Sequence, residues 1–210
     1  MILSPSLLAL TLALAAASVT NTSWETADGG HVLRHEAVVP APPDAVREAL
    51  STSAGWASWA VPVARVDFRL GGRIETSYDP AAQPGDAANI LSCILAYVPG
   101  RMLAFQAERA PPGFPHPELL DGLFSVIELA PDGDGATRVS VSGIGYTDSP
   151  GHRELREFFA RGNAWTLERL VERFATGPVD WTAQQPPGAA VPTDSDDDSA
   201  DNDNKRNEGE

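Results

Sequence analysis

From Ser149 to Gly177 the chain carries one helical pattern, with Leu155, Phe158, Phe159, Gly162, Trp165, Thr166, Leu170 and Phe174 recurring on one side. A single long amphipathic helix at the end of a chain otherwise built of short strand-like runs leaves few possible architectures. Its ends are marked: Ser149 is placed to cap it, Pro150 fits the first helical position, and Gly177-Pro178 supplies a stop. Gly162 is the exception inside the stripe. A helical glycine costs roughly 1 kcal/mol relative to alanine, so the expectation is that the sheet or a ligand packs close against it.

The runs before the helix read as strands. Leu33 to Val39 is extended and is stopped by Pro40-Ala-Pro-Pro43. A short helix follows from Asp44 with Val46, Ala49 and Leu50 on one face, and Gly55 to Trp59 forms a second short helix or turn ended by Pro62. Then come Val66 to Leu70, Arg73 to Tyr78, Asn89 to Val98, Met102 to Glu108, Leu123 to Leu129 and Thr137 to Gly145. Gly71-Gly72, Pro99-Gly100 and Asp132-Gly-Asp-Gly135 punctuate them as hairpin turns, so the runs form an antiparallel meander. The Asp132–Gly135 stretch resembles the start of a calcium loop, but it lacks the later Glu and lies between strands, so it reads as a turn.

Net charge limits the partners. Of the formal −14, the stretch from Ala183 to Glu210 supplies −6 through eight acidic and two basic residues, leaving −8 on the body. Lys and Arg are nowhere clustered, which argues against nucleic acid and against an anionic membrane surface. Cys93 is the one cysteine, so no disulfide forms within the chain, and its apolar neighbours predict a buried small side chain. No Ser-His-Asp arrangement, phosphate-binding glycine loop or Cys/His metal cluster stands in the sequence, and neither a metal nor a cofactor is expected.

The two ends read as lying outside the folded unit. Leu7 to Val19 is an apolar run whose Ala15-Ala16-Ala17 suits signal-peptidase cleavage, although Met1 to Ser6 lacks Lys and Arg. The expectation is a signal peptide over 1–18, a periplasmic or secreted location, and membrane contact only if the leader is retained. Residues 19–31 read as an N-terminal extension, in which the Asn21-Thr22-Ser23 sequon is given no role. Residues 178–210 read as a disordered acidic tail, since their Pro-rich and Asp-rich sequence has no apolar periodicity to offset the entropy of ordering.

One strand, two short helices, six antiparallel strands and a long helix make an α+β helix-grip fold, a curved antiparallel sheet wrapped around a long C-terminal helix. Several sequence features are also familiar: Val39 to Val46 (Val-Pro-Ala-Pro-Pro-Asp-Ala-Val), Trp59, Phe68, Gly71-Gly72, Pro99, Arg101 to Phe105, Thr137 to Val141, and Gly162 to Leu170. Together they resemble the SRPBCC, START-like (Bet v 1-like) superfamily across 32–177, nearest to its heat-shock-protein-90 ATPase activator-like branch. The resemblance implies a cavity between the concave sheet and the last helix, in a superfamily that includes lipid carriers, polyketide cyclases, hormone receptors and chaperone co-factors.

Trp59, Phe105, Phe114, Phe124, Tyr146, Phe159, Gly162 and Trp165 lie on the elements that line the cavity in the resembling fold, and they are the expected ligand-binding residues; filling a dry core is the equally weighted alternative. The Pro-rich segment Ala110 to Pro117 is a candidate lid with Phe114 as its plug, or a rigid connector. His31, His35, His116 and His152 read as solvated surface histidines. Glu75, Asp79 and Glu128 read as solvent-facing, with an inward carboxylate as the route to acid–base chemistry, and Arg73 and Tyr146 are candidates for orienting a ligand. No catalytic residue is assigned. A non-catalytic exported protein holding a small apolar or amphipathic molecule is the leading expectation, ahead of a cyclase-like or hydrolase-like enzyme in the same cavity and an envelope interaction module.

Overall fold

A computed structural model describes residues 18–133 and 135–183. The leader-like run before residue 18 and the acidic stretch after residue 183 lie outside the described residues.

The elements follow the order β1 (Thr20–Asn21), β2 (Trp24–Glu25), β3 (His31–Val39), α1 (Pro43–Ser51), α2 (Ser53–Ala57), β4 (Val63–Val66), β5 (Arg73–Ser77), β6 (Ile90–Val98), β7 (Met102–Arg109), a 3-10 helix (Pro117–Gly122), β8 (Phe124–Pro131), β9 (Thr137–Tyr146) and α3 (Pro150–Thr176). All strands join one antiparallel, unclosed sheet in the order β1-β3-β9-β8-β7-β6-β5-β4, with β2 also on β3. β4 to β9 form the expected six-strand meander. Residues read as an N-terminal extension contribute β1 and β2, whose pairings Thr20 with Glu36 and Trp24 with Val32 cover the free edge of β3. Such cover removes an open row of backbone donors and acceptors that would otherwise recruit another strand.

Strand alternation sets the two faces. On β3, Leu33, His35, Ala37 and Val39 are buried, while Arg34 and Glu36 lie on the other side and are less buried. That outer side is polar: the Arg34 guanidinium lies 2.9 Å from Glu36, 3.6 Å from Glu128 and 2.9 Å from the Ser140 hydroxyl. Cross-strand register carries the inner face over the sheet, from Leu33 to Gly143 and Ser125, and from His35 to Val141, Ile127 and Leu103. Register shifts at Leu91/Ser92 and Ile94/Ala96 bend β6 against β7, as bulges do, and help to curve the sheet.

The long helix lies across this inner face, against β3 and β9. Its N-terminal hydroxyl cap forms as expected, Ser149 Oγ accepting from the His152 N–H at 3.3 Å. Gly177 ends it with φ 112°, a left-handed-side value that side-chain-bearing residues resist. The segment after it does not leave the fold at once. The Val179 N–H donates to the Ser58 carbonyl at 2.9 Å, and the Trp181 indole donates to the Ala57 carbonyl at 2.8 Å. Residues 178–183, read as the start of a disordered tail, therefore form a strap over the end of α2.

Candidate functional site: the space beneath the long helix

The apolar packing under α3 is divided. At its start, Leu155 joins Leu33, Leu123 and Tyr146, with Phe114 and Phe159 packed against them. At its end, Leu167, Leu170 and Val171 join Ala37, Val39, Val46, Trp59, Ile127 and Val139. No side chain from 156 to 166 is fully buried. This stretch carries Phe158, Phe159, Gly162 and Trp165, each at least partly exposed.

The structure gives each expected binding residue a definite place. Trp59 is sealed in the core at 2% exposure, its indole N–H held by the Ala49 carbonyl at 3.1 Å; it supports the fold and faces no open space. Phe105 lies on the inner face between two apolar clusters. Phe124 pairs with Ile144 and is exposed. Tyr146 is buried against Leu33 and Leu155, and burial pushes its phenol well above the ordinary tyrosine range. A Cβ on Gly143 would meet the Tyr146 ring at 3.0 Å, so glycine at 143 is what admits that ring. Phe114, carried by the Pro-rich segment, packs edge-on to Phe158 at 5.1 Å and beside Phe159 at 5.8 Å. Trp165 sits 6.2 Å from Tyr78. The sheet does not pack against Gly162: nothing lies within 4 Å of where its Cβ would be. One flank of α3 therefore runs from a Phe114–Phe158 contact, past an open glycine, to a Tyr78–Trp165 contact.

Polar residues depart further from expectation. His35 is not a solvated surface histidine: it is 4% exposed on the inner face, and its Nδ1 has no hydrogen-bond partner among the described residues. Since Leu33 packs at the start of α3 and Ala37 at its end, His35 lies beneath the middle of the helix. Burial holds its imidazole below the ordinary histidine pKa, keeping it neutral at pH 7. On α3, Asn163 takes the place between Phe159 and Leu167, four residues from each. Two polar groups thus interrupt an otherwise apolar seam. No period-two reading of β3 in isolation reveals this, because the inner side is known only once Leu33, Ala37 and Val39 are known to be buried.

The remaining histidines are tied to carboxylates or the backbone. His31 contacts Asp148 at 2.6 Å, His116 contacts Glu154 at 2.7 Å, and His152 Nδ1 accepts from the Thr147 N–H at 2.9 Å. Glu75 is buried rather than solvent-facing. Its carboxylate accepts from the Asn89 amide at 2.9 Å and the Gly85 N–H at 2.6 Å, and these bonds, led by Asn89, hold it ionised below the usual carboxylate range. In register with Leu91, it lies on the outer face and anchors the 79–89 loop. Arg73 pairs with Glu108 at 2.7 Å on that same face, and Glu128 remains exposed beside Arg34. Cys93 is half-buried opposite Arg73, not enclosed. Among the described residues, no group of His, Cys, Asp and Glu is arranged to hold a metal, and no helix is long and apolar enough to cross a membrane.

A separate open cleft of about 200 Å³ lies between α1 and the β6–β7 turn, with Leu50, Leu103, Ile127 and Leu129 as its floor. No residue of α3 lines it.

Divided packing under a long helix on a concave sheet is where comparison with known proteins becomes informative. Residues 30–176 match the model of the family described as polyketide cyclase / dehydrase and lipid transport. The chain belongs to that family. Its fold is that of the SRPBCC, Bet v 1-like superfamily. Among solved structures, CalU16 from Micromonospora echinospora is similar at 19% identity, covering 79% of this chain and 88% of that one with a TM-score of 0.53. The Aha1 dimer from Colwellia psychrerythraea is similar at 16% identity, 70% and 97% coverage and a TM-score of 0.54. Protein MLL2253 from Mesorhizobium loti is similar at 18% identity, 70% and 99% coverage and a TM-score of 0.55. At such identities the likeness concerns fold alone. No curated protein matches the sequence.

Proposed function

We propose that this protein binds a small apolar or amphipathic molecule between the concave face of its sheet and the middle of α3. The observation that carries this reading is the absence of any fully buried side chain from 156 to 166, between well-packed clusters at either end of the helix. Phe158, 39% exposed beside Phe114 and Phe159, is an apolar surface that a ligand would cover. Family membership supports the same reading, since lipid transport is among the activities its description names. Native mass spectrometry of the protein purified from its own host tests it: a co-purifying small molecule released on denaturation is expected. Purification without one, together with failure to bind any apolar probe, would reject it.

His35 supports a second reading, cyclase-like or hydrolase-like chemistry in the same space, because a neutral buried imidazole can accept a proton. Against it, no described carboxylate bonds the ring to orient it. Incubating the protein with its co-purified molecule separates the readings: binding alone leaves the molecule chemically unchanged, while an enzyme converts it to a product resolved by chromatography or NMR even where the mass is conserved, and His35→Gln stops the change. The leader-like run over Leu7 to Val19 supports a periplasmic or secreted location. N-terminal sequencing of the mature chain is expected to find the run removed, and an intact Met1 in the cytosol would refute export.

A further inference from the structure

Arg169 stands one helical turn beyond Trp165, and its side chain is only 11% exposed. Its guanidinium lies 5.7 Å from the Trp165 ring centre and 5.9 Å from that of Trp181. Of its nitrogens, Nη1 donates to Glu172 at 2.8 Å. Nε and Nη2 are buried and have no hydrogen-bond partner among the described residues.

Those two atoms belong together. Nε–H and one Nη2–H lie parallel along one edge of the planar guanidinium, the fork that a carboxylate engages with both oxygens at once. Burying such donors without an acceptor is costly, since each has lost its water and received nothing in exchange. Glu172 does not relieve this, as it meets the opposite corner of the group and is itself 47% exposed. An orphaned edge on a cation between two indoles is the arrangement expected of a site awaiting an anion with an apolar body.

Resting on the binding reading above, we infer that the Nε–Nη2 edge of Arg169 receives the carboxylate of the ligand, which is therefore an amphipathic acid and not a neutral apolar molecule. Its head group is held between Trp165 and Trp181, and its apolar body extends along the flank of α3 past Trp165 and Gly162. Solvent reaches neither donor, so the acid enters by displacing the strap that carries Trp181. Among the described residues, the indole bond to Ala57 and the Val179 bond to Ser58 are the hydrogen bonds that tie that strap to the end of α2. The net charge of −14 opposes an anion at long range, but salt near physiological strength screens that field beyond about 8 Å and leaves the buried fork little affected.

Octanoate and 1-octanol share an apolar chain and differ at the head group, so their titration into the full chain stripped of co-purified material tests the inference by calorimetry. Octanoate is expected to bind at least about tenfold tighter, a difference worth about 1.4 kcal/mol. Arg169→Gln is expected to bring the two within about twofold, with circular dichroism confirming that the variant is folded. The wild-type arginine Nε–H resonance that disappears in Arg169→Lys gives a readout free of any folding defect in the glutamine variant: it should shift with octanoate and stay in place with octanol. Equal binding of the two probes, a preference that survives in Arg169→Gln, or an unmoved resonance would each overturn the role of Arg169 while leaving the cavity reading intact. If neither probe binds, the cavity reading fails as well.

Discussion

A histidine beneath a helix makes stability depend on pH in a direction that can be worked out. His35 is neutral in the folded chain because burial lowers its pKa, whereas in the unfolded chain it titrates near the ordinary value of about 6.5. Between the two values the unfolded state binds more protons, so stability falls as pH drops from about 6.5 through the folded pKa, and is unaffected by this group above that window. The melting temperature of the wild type is therefore expected to fall more steeply from pH 7 to pH 5 than that of His35→Gln, and parallel profiles would show that the imidazole is solvated. Two glycines give a complementary test. A methyl group on Gly162 enters open space, so Gly162→Ala should raise unfolding free energy by about 1 kcal/mol while weakening ligand binding. One on Gly143 meets the Tyr146 ring at 3.0 Å, and Gly143→Ala should cost about 1–3 kcal/mol. Urea denaturation of both variants is expected to give opposite signs.

At the scale of elements, the fully buried side chains of α3 lie toward its ends, with none from 156 to 166. Leu167 is 1% exposed among Val39, Val139 and Leu170, so Leu167→Ala should cost about 2–5 kcal/mol through lost transfer energy and the cavity it leaves. Phe158 is exposed at 39%, and Phe158→Ala should leave unfolding free energy almost unchanged while lowering affinity for the bound molecule. Equal losses at the two positions would mean that the middle of the helix is packed after all. The order of these elements could be read from the sequence because Pro and Gly act locally: Pro40 to Pro43, Gly71-Gly72, Pro99-Gly100 and Gly177 impose turns and ends whatever surrounds them. Features set by tertiary partners were not legible. β1 and β2 are two residues each and exist only as pairings with β3. The placement of His35 depends on which side of β3 the helix covers. The strap depends on one indole reaching Ala57 across the fold. The cost of a glycine inside a helix points to the sheet or a ligand packing close at Gly162, and the sheet does not approach it.

At the scale of the whole molecule, three apolar clusters carry the fold, two of them at the ends of α3, so the empty chain should fold cooperatively and the loaded chain should be more stable by linkage. A molecule that binds only the folded state adds RT ln(1 + [L]/Kd), about 2.7 kcal/mol when present at a hundred times its dissociation constant. For a chain of this length each kcal/mol raises the melting temperature by about 2–4 °C, giving an expected rise of about 5–11 °C between protein stripped of its small molecule and the same protein saturated with it. The strap sharpens this expectation. If an acid seats against Arg169, it must displace Trp181 on entry and be covered by it afterwards, so Trp181→Ala should release bound octanoate faster while leaving the melting temperature of the stripped chain within a few degrees of the wild type. Rapid-dilution kinetics followed by the remaining tryptophan emission measures that release. A wild type and variant that lose octanoate at the same rate would show that Trp181 packs on α2 for stability alone and takes no part in closing the site.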